Sequence, residues 1–121
     1  MLFKDYHVMQ IRTGEKTVTR RDWADGYHRP SEGDVRMVQT DFFQSHEECN
    51  CYIRVTDEPY KQPLGEMTDE DAQKEGDYET LEEFKESWRE INGEWNPEKV
   101  VDVVPFEYIG TSRPDVVAQS E

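Results

Sequence analysis

The order of its short apolar segments constrains the fold of this chain most strongly. Three segments with alternating or β-branched side chains follow one another without an intervening helix, at residues 16–21, 34–40 and 51–56. A fourth, residues 100–109, comes only after two helical patterns. Because no strand–helix–strand repeat occurs, a doubly wound parallel sheet is disfavoured. We expect an α+β fold: a small, mostly antiparallel β-barrel with flanking short helices.

Start and stop signals frame the helical patterns. Thr68 and Thr80 are typical N-cap residues, and Glu83 completes a capping-box pattern with Thr80. Gly14 stops the first helical stripe. These signals predict helices over residues 3–13, 68–76 and 80–93. Turn residues or polar composition predict connections over residues 22–33, 41–50 and 57–65.

The length of 121 residues suits one domain, which we place at residues 1–110. Residues 111–121 lack periodicity and are predicted to form a flexible C-terminal tail. No apolar run is long enough to span a bilayer, and the first residues lack a secretory apolar region. We therefore expect a cytoplasmic protein without a membrane partner, present as a monomer or weak dimer.

The chain is strongly acidic, with 28 acidic and 14 basic residues and a formal net charge of -14. Such a composition can indicate disorder, but aromatic residues make up 12% of this chain and recur along it. A folded domain with an acidic surface is the better interpretation. Since high salt screens the repulsion of such a surface, we hypothesise a halophilic source.

Basic residues are concentrated near the N-terminus, where residues 1–36 hold seven of the fourteen. Thr17, Arg20 and Arg21 belong to a hydroxyl-bearing basic segment that suits an anionic or polar ligand. An exposed strand with solvated charges is the alternative. The segment is not a phosphate-binding loop, because Glu15 separates Gly14 from the lysine and a helix precedes it.

Two further residue sets carry a chemical interpretation. Lys16 and Thr19 are three positions apart, so a bulge or turn would let a lysine of lowered pKa take the proton of the hydroxyl. Trp23 and Tyr27 could stack on nucleobases or cover one end of a barrel.

A third set, His46, Cys49 and Cys51, is a weak candidate for zinc because structural sites use four ligands at other spacings. We therefore expect no metal.

The motif Gly14-x-Lys16-Thr17-x-Thr19-x-Arg21, followed by Gly33-Asp34-Val35, resembles the ASCH domain family, a branch of the PUA-like superfamily. Further elements in the same order extend the resemblance over about residues 3–109: a strand like 51–56, the segments 72–76 and 80–85, and a last strand ending at 104–108. The resemblance implies a PUA-like barrel that needs no cofactor. It also implies a basic cleft beside the barrel that binds RNA or a modified nucleoside or nucleotide.

One branch of small members of this family consists of amidohydrolases that deacylate N4-acetylcytidine-type nucleosides. By resemblance, Thr19 would be the nucleophile and Lys16 the general base. Glu75 would hold the cytosine edge or the lysine amine, or shuttle a proton. Arg21 would orient the base or a phosphate. Long segments at 41–50 and 57–65, together with Trp23 and Arg20, depart from that branch and leave the substrate open. Binding without chemistry and amide hydrolysis are therefore both retained.

Overall fold

A computed structural model describes residues 1–41, 44–45, 49–76 and 78–111. Its helices are α1 (Asp5–Thr13), α2 (Asp69–Lys74) and α3 (Leu81–Asn92), with a 3₁₀ turn at Leu64–Glu66. Its strands are β1 (Val18–Arg21), β2 (Val35–Val38), β3 (Cys51–Val55), β4 (Tyr60–Pro63) and β5 (Val100–Gly110). The predicted tail beyond residue 111 lies outside the described residues. None of the described helices is long and apolar enough to cross a bilayer.

The 11-residue strand β5 organises the sheet, because three other strands pair with it. β1 pairs with residues 102–105, β4 with residues 100–103 and β3 with residues 106–110, all antiparallel. β2 extends the sheet on the far side of β3, which gives the order β1-β5-β3-β2. The predicted antiparallel α+β architecture is confirmed, although the sheet stays open among the described residues.

The loop predicted for residues 57–65 is wrong, since the segment contains β4 and the start of the 3₁₀ turn. Tyr60 and Lys61 are exposed, and Pro63 ends the strand without an amide hydrogen to donate. No apolar alternation therefore marks the strand in the sequence. Its ladder with β5 decides its conformation, and such long-range pairing routinely overrides local propensity.

The helix ends mostly follow the predicted signals. Gly14 adopts a φ of 84° after α1, and its amide donates to the carbonyl of Ile11. The side chain of Thr68 caps α2 within a complete capping box. The box predicted at Thr80 forms only in part: Thr80 Oγ1 accepts from the amide of Glu83 at 3.4 Å, but the Glu83 carboxylate accepts from the amide of Glu79.

Two hydrophobic clusters pack around different halves of β5. The first joins α1 to β2, β3 and β5 through Phe3, Ile11, Val38, Cys51, Ile53 and Phe106. The second joins α2, α3 and the 3₁₀ turn to β5 through Leu64, Met67, Ala72, Phe84, Trp88 and Val101. The core is thus divided, and a cavity bounded by members of both clusters contains the candidate site.

Candidate functional site

Backbone pairing brings the Lys16 segment against the end of α2, 59 positions away in sequence. Lys16 and Glu75 form an isolated antiparallel bridge, and the amide of Thr17 donates to the carbonyl of Lys74 at 2.8 Å. Gly76 follows with a φ of 147°, which suits glycine, and it leaves room for the Gln10 side chain, since a Cβ there would lie 2.5 Å from Gln10 Oε1. Main-chain hydrogen bonds therefore hold the Lys16 segment and the end of α2 together, and the side-chain contacts add to these bonds.

Lys16, Glu75 and Arg20 form a buried ion network. Lys16 Nζ donates to Glu75 Oε1 at 3.1 Å, to the Glu75 carbonyl at 2.8 Å and to the Val18 carbonyl at 3.0 Å. Arg20 Nη1 donates to Glu75 Oε2 at 2.8 Å. Burial lowers the pKa of Lys16, and the charge and hydrogen bond of Glu75 only partly oppose this. One carboxylate therefore serves two buried cations.

Arg20 is held from a second side by β4, the strand that the sequence did not reveal. Its Nε and Nη2 both donate to Gln62 Oε1, at 3.3 and 2.9 Å. Asp71 Oδ1 lies 3.7 Å from Nη2. Arg20 borders the cavity, as its predicted binding role requires, but Glu75 and Gln62 already accept hydrogen bonds from its guanidinium.

Arg21 has a different environment. Its Nε donates to Thr19 Oγ1 at 3.0 Å, and its guanidinium lies 4.7 Å above the ring of Phe3. Within the described ranges, no carboxylate lies within ion-pair distance of it. Burial lowers the pKa of Arg21, which nevertheless remains charged. A partly desolvated cation without a carboxylate partner is a natural anchor for an anionic or acceptor group of a ligand.

Six of the seven predicted site residues line one cavity of about 460 Å³: Lys16, Thr19, Arg20, Arg21, Trp23 and Glu75. Its volume falls in the range of small-molecule sites. The seventh, Thr17, borders a second cavity beside Lys74 and Phe106. The backbone groups of Thr17 bond to the main chain of both of these residues.

The cavity lining also includes a neutral hydrogen-bonded chain that the sequence did not indicate. Tyr78 donates to Ser87 Oγ at 2.8 Å, and His7 Nε2 lies 3.2 Å from the Tyr78 hydroxyl. Burial lowers the pKa of His7 to about 3 and raises that of Tyr78 to about 12, so both are uncharged near neutrality. These residues come from α1, α3 and the segment between α2 and α3, and no local sequence signal links them.

Trp23, in the loop after β1, also reaches the cavity. Trp23 lines it and stacks on Tyr27, with ring centroids 4.8 Å apart and planes 21° from parallel. Tyr27 is about half exposed.

Among the described residues, no group of three or more His, Cys, Asp or Glu side chains is arranged to hold a metal ion. His46, from the weak zinc motif, lies outside them. Cys49 and Cys51 form no disulfide within the described residues, and burial raises the pKa of Cys51 to about 11. The thiol of Cys51 is therefore a protonated core group near neutrality.

Neither a family model nor a curated protein sequence matches this chain. Its structure is similar to that of an ASCH domain from Lactobacillus crispatus, with a TM-score of 0.72 and 16% identity over 91% of this chain and 77% of that one. It is also similar to a protein of the DUF984 family from Enterococcus faecalis, with a TM-score of 0.61 and 18% identity over 87% and 71% of the two chains. At such identities the likeness concerns the fold. The chain has the ASCH-domain fold.

Proposed function

We propose that the cavity binds a nucleoside or a single nucleotide. The observation that carries this proposal is Arg21, a partly desolvated cation that faces the cavity without a carboxylate partner among the described residues. Lys16 and Arg20 already donate hydrogen bonds to the Glu75 carboxylate, so Arg21 is the cation best placed to receive a carbonyl or phosphate oxygen. Its planar guanidinium suits two-point recognition of such groups.

The rest of the lining supports a planar, partly polar ligand. Trp23 offers an aromatic face for a heterocycle. His7 and Ser87 also line the cavity and offer neutral hydrogen-bonding groups, which suit sugar hydroxyls or the edge of a base. The guanidinium of Arg21, the indole of Trp23 and the neutral polar groups of His7 and Ser87 together match the three chemical parts of a nucleotide.

The overall charge favours a small ligand over an RNA chain. Binding of a polyanion gains most of its affinity from basic residues that replace counterions, and this protein has a net charge of -14. An RNA strand would have to insert a single unstacked nucleotide into the cavity while its neighbours faced an acidic surface. We therefore place the nucleoside or mononucleotide ahead of RNA as ligand.

Calorimetric titration with cytidine, N4-acetylcytidine, cytidine monophosphate and a short single-stranded RNA tests the proposal. We expect saturable binding of at least one small ligand, weakened about tenfold or more by Arg21→Met, because a hydrogen bond to a charged group is lost. Arg54→Met is the matched control, since Arg54 pairs with Glu107 on the surface. Binding of RNA alone, or equal effects of the two variants, would contradict the proposal.

A second candidate function is amide hydrolysis, favoured by the convergence of Lys16, Thr19 and Glu75 on this cavity. The hydrogen bond from Arg21 to Thr19 Oγ1 would stabilise negative charge on that oxygen. In the proposed reaction, Thr19 Oγ attacks the acyl carbonyl carbon while Lys16, in its neutral form, accepts the hydroxyl proton. The C–N bond then breaks, the amine leaves with the proton, and water hydrolyses the acyl ester to a carboxylic acid.

This chemistry requires a rearrangement at Lys16. Its three hydrogen bonds go to Glu75 and to the Val18 carbonyl, and none goes to Thr19 in the described part of the chain. Lys16 must therefore lose its proton and exchange one of these partners for the Thr19 hydroxyl. Its burial favours the first of these steps, because desolvation disfavours the ammonium form.

Chromatographic detection of cytidine released from N4-acetylcytidine tests the hydrolase. We expect turnover by the wild type and by Thr19→Ser, which keeps a hydroxyl, and none by the isosteric Thr19→Val. Thr56→Val is the control, since Thr56 is exposed and its hydroxyl bonds to Asp57. Binding without release of cytidine by the wild type would reject the hydrolase and leave the binding proposal standing.

A further inference from the structure

A single guanidinium organises the loop that carries Trp23. Arg29 Nη1 donates to the carbonyls of Asp25 and Tyr27 at 3.2 and 2.9 Å, and Nη2 donates to the carbonyl of Trp23 at 3.3 Å. Three carbonyls of residues 22–29, here called the Trp23 loop, thus point toward one side chain. A group with five donors in a fixed fork is suited to gather several acceptors at once.

The same guanidinium is anchored to the sheet. Arg29 Nε donates to Asp102 Oδ1 at 2.8 Å, and Asp102, the third residue of β5, is 3% exposed. Lys61 of β4 lies 3.5 Å from the same oxygen. In the sheet register, Asp102 is directly opposite Arg21. The anchor therefore lies in the sheet, next to strand β1, whose residues Thr19, Arg20 and Arg21 line the cavity.

Few other contacts hold the Trp23 loop. Within the described residues, its own main chain contributes the hydrogen bond from the Tyr27 amide to the Ala24 carbonyl at 3.0 Å. Its first residue, Asp22, pairs with Lys99 at 2.9 Å on a half-exposed surface. Since exposed ion pairs contribute little, the contacts of Arg29 are the main restraint on where the loop lies.

We propose that Arg29, anchored by Asp102, is a positioning residue that fixes Trp23 at the cavity and so sets the affinity for a planar heterocyclic ligand. The part concerning ligand affinity rests on the proposed function. The part concerning the position of Trp23 stands on the hydrogen bonds alone. Arg29 itself does not line the cavity, so it acts through the indole.

Quenching of tryptophan fluorescence by acrylamide tests the position of Trp23 without any ligand. The difference in quenching between each protein and its Trp23→Phe counterpart isolates this indole from Trp88 and Trp95. We expect Arg29→Met, and more mildly Arg29→Lys, to raise the quenching of Trp23, while Arg54→Met leaves it unchanged. If quenching of Trp23 is unaltered in folded Arg29→Met and Arg29→Lys, the positioning role is overturned.

A double-mutant cycle tests the link to affinity. We expect Arg29→Met to weaken nucleoside binding about tenfold in the wild-type background, as expected for loss of one aromatic stack. In a Trp23→Ala background it should weaken binding no further, because the residue through which it acts is gone. Equal losses in both backgrounds would overturn the proposal. If the wild type binds no nucleoside, the proposed function fails, and the quenching experiment still decides the position of Trp23.

Discussion

Replacement of Glu75 by glutamine tests the buried network most sharply. The substitution keeps the side-chain shape but removes the only negative charge that Lys16 and Arg20 share inside the network. Removing one partner of a buried ion pair costs about 3–5 kcal/mol, because the other charge stays buried without compensation. A domain of ordinary stability, about 5–15 kcal/mol, would lose roughly a fifth or more of it. We expect the melting temperature to fall by about 10–20 °C.

The variant should also respond to pH in a defined direction. Without the Glu75 charge, burial lowers the pKa of Lys16 further, so the folded protein binds fewer protons than the unfolded chain between that lowered pKa and the ordinary value of 10.5. Stability therefore rises with pH in that window, by up to about 1.4 kcal/mol per pH unit for one proton. The wild type, in which Glu75 opposes the shift, should show a shallower rise.

Urea unfolding of both proteins at constant ionic strength measures how the free energy of unfolding depends on pH. A range of roughly pH 7 to 10 covers the titration of a lysine with a lowered pKa. Glu107→Gln is the control, because it removes a carboxylate from an exposed pair with Arg54 at 3.4 Å and should cost less than about 1 kcal/mol. If Glu75→Gln costs no more than Glu107→Gln, and its stability shows no steeper rise with pH than the wild type, the reasoning about the buried network is refuted.

Three further outcomes are expected. Gly76→Ala should lower the free energy of unfolding by about 3 kcal/mol in urea, since its φ of 147° suits glycine and the Cβ would contact Gln10. The control Gly14→Ala, with open space around the Cβ, should lower it by about 1 kcal/mol. Burial lowers the pKa of His7 from 6.5 to about 3, so stability should fall as pH drops through that window, and His7→Gln should flatten the fall; an equal slope would contradict the assignment. The net charge of -14 predicts a melting temperature that climbs as KCl rises from about 0.1 to 3 M, and a flat curve would reject the halophilic source.

Much of the fold can be predicted from the sequence, because the signals that end and cap the helices are local. Gly14 ends α1 through its own backbone freedom, and Thr68 caps α2 through its own hydroxyl. The sequence does not reveal β4, because the exposed Tyr60 and the strand-ending Pro63 carry no apolar pattern and pairing with β5 makes the segment a strand. Local sequence signals therefore predict the elements that local contacts stabilise. They do not predict β4, which its pairing with the distant strand β5 stabilises.

The site shows the same division. The basic segment around Arg21 was visible as a cluster in the sequence, whereas Glu75 was identified only through the resemblance to a family, because no spacing rule connects it to Lys16. The chain of His7, Tyr78 and Ser87 was not predicted, since its members are up to 80 positions apart and meet only when α1 and α3 pack around the cavity. Chemistry assembled by tertiary contacts leaves no local pattern.

A crystal structure of the protein soaked with N4-acetylcytidine or cytidine monophosphate tests the central claim most directly. The account predicts a ligand in the cavity between α1, α3 and β1, with an acceptor oxygen about 3 Å from the Arg21 guanidinium and the heterocycle against Trp23. A ligand seated elsewhere, or one in the cavity that leaves Arg21 without a new partner, would contradict it.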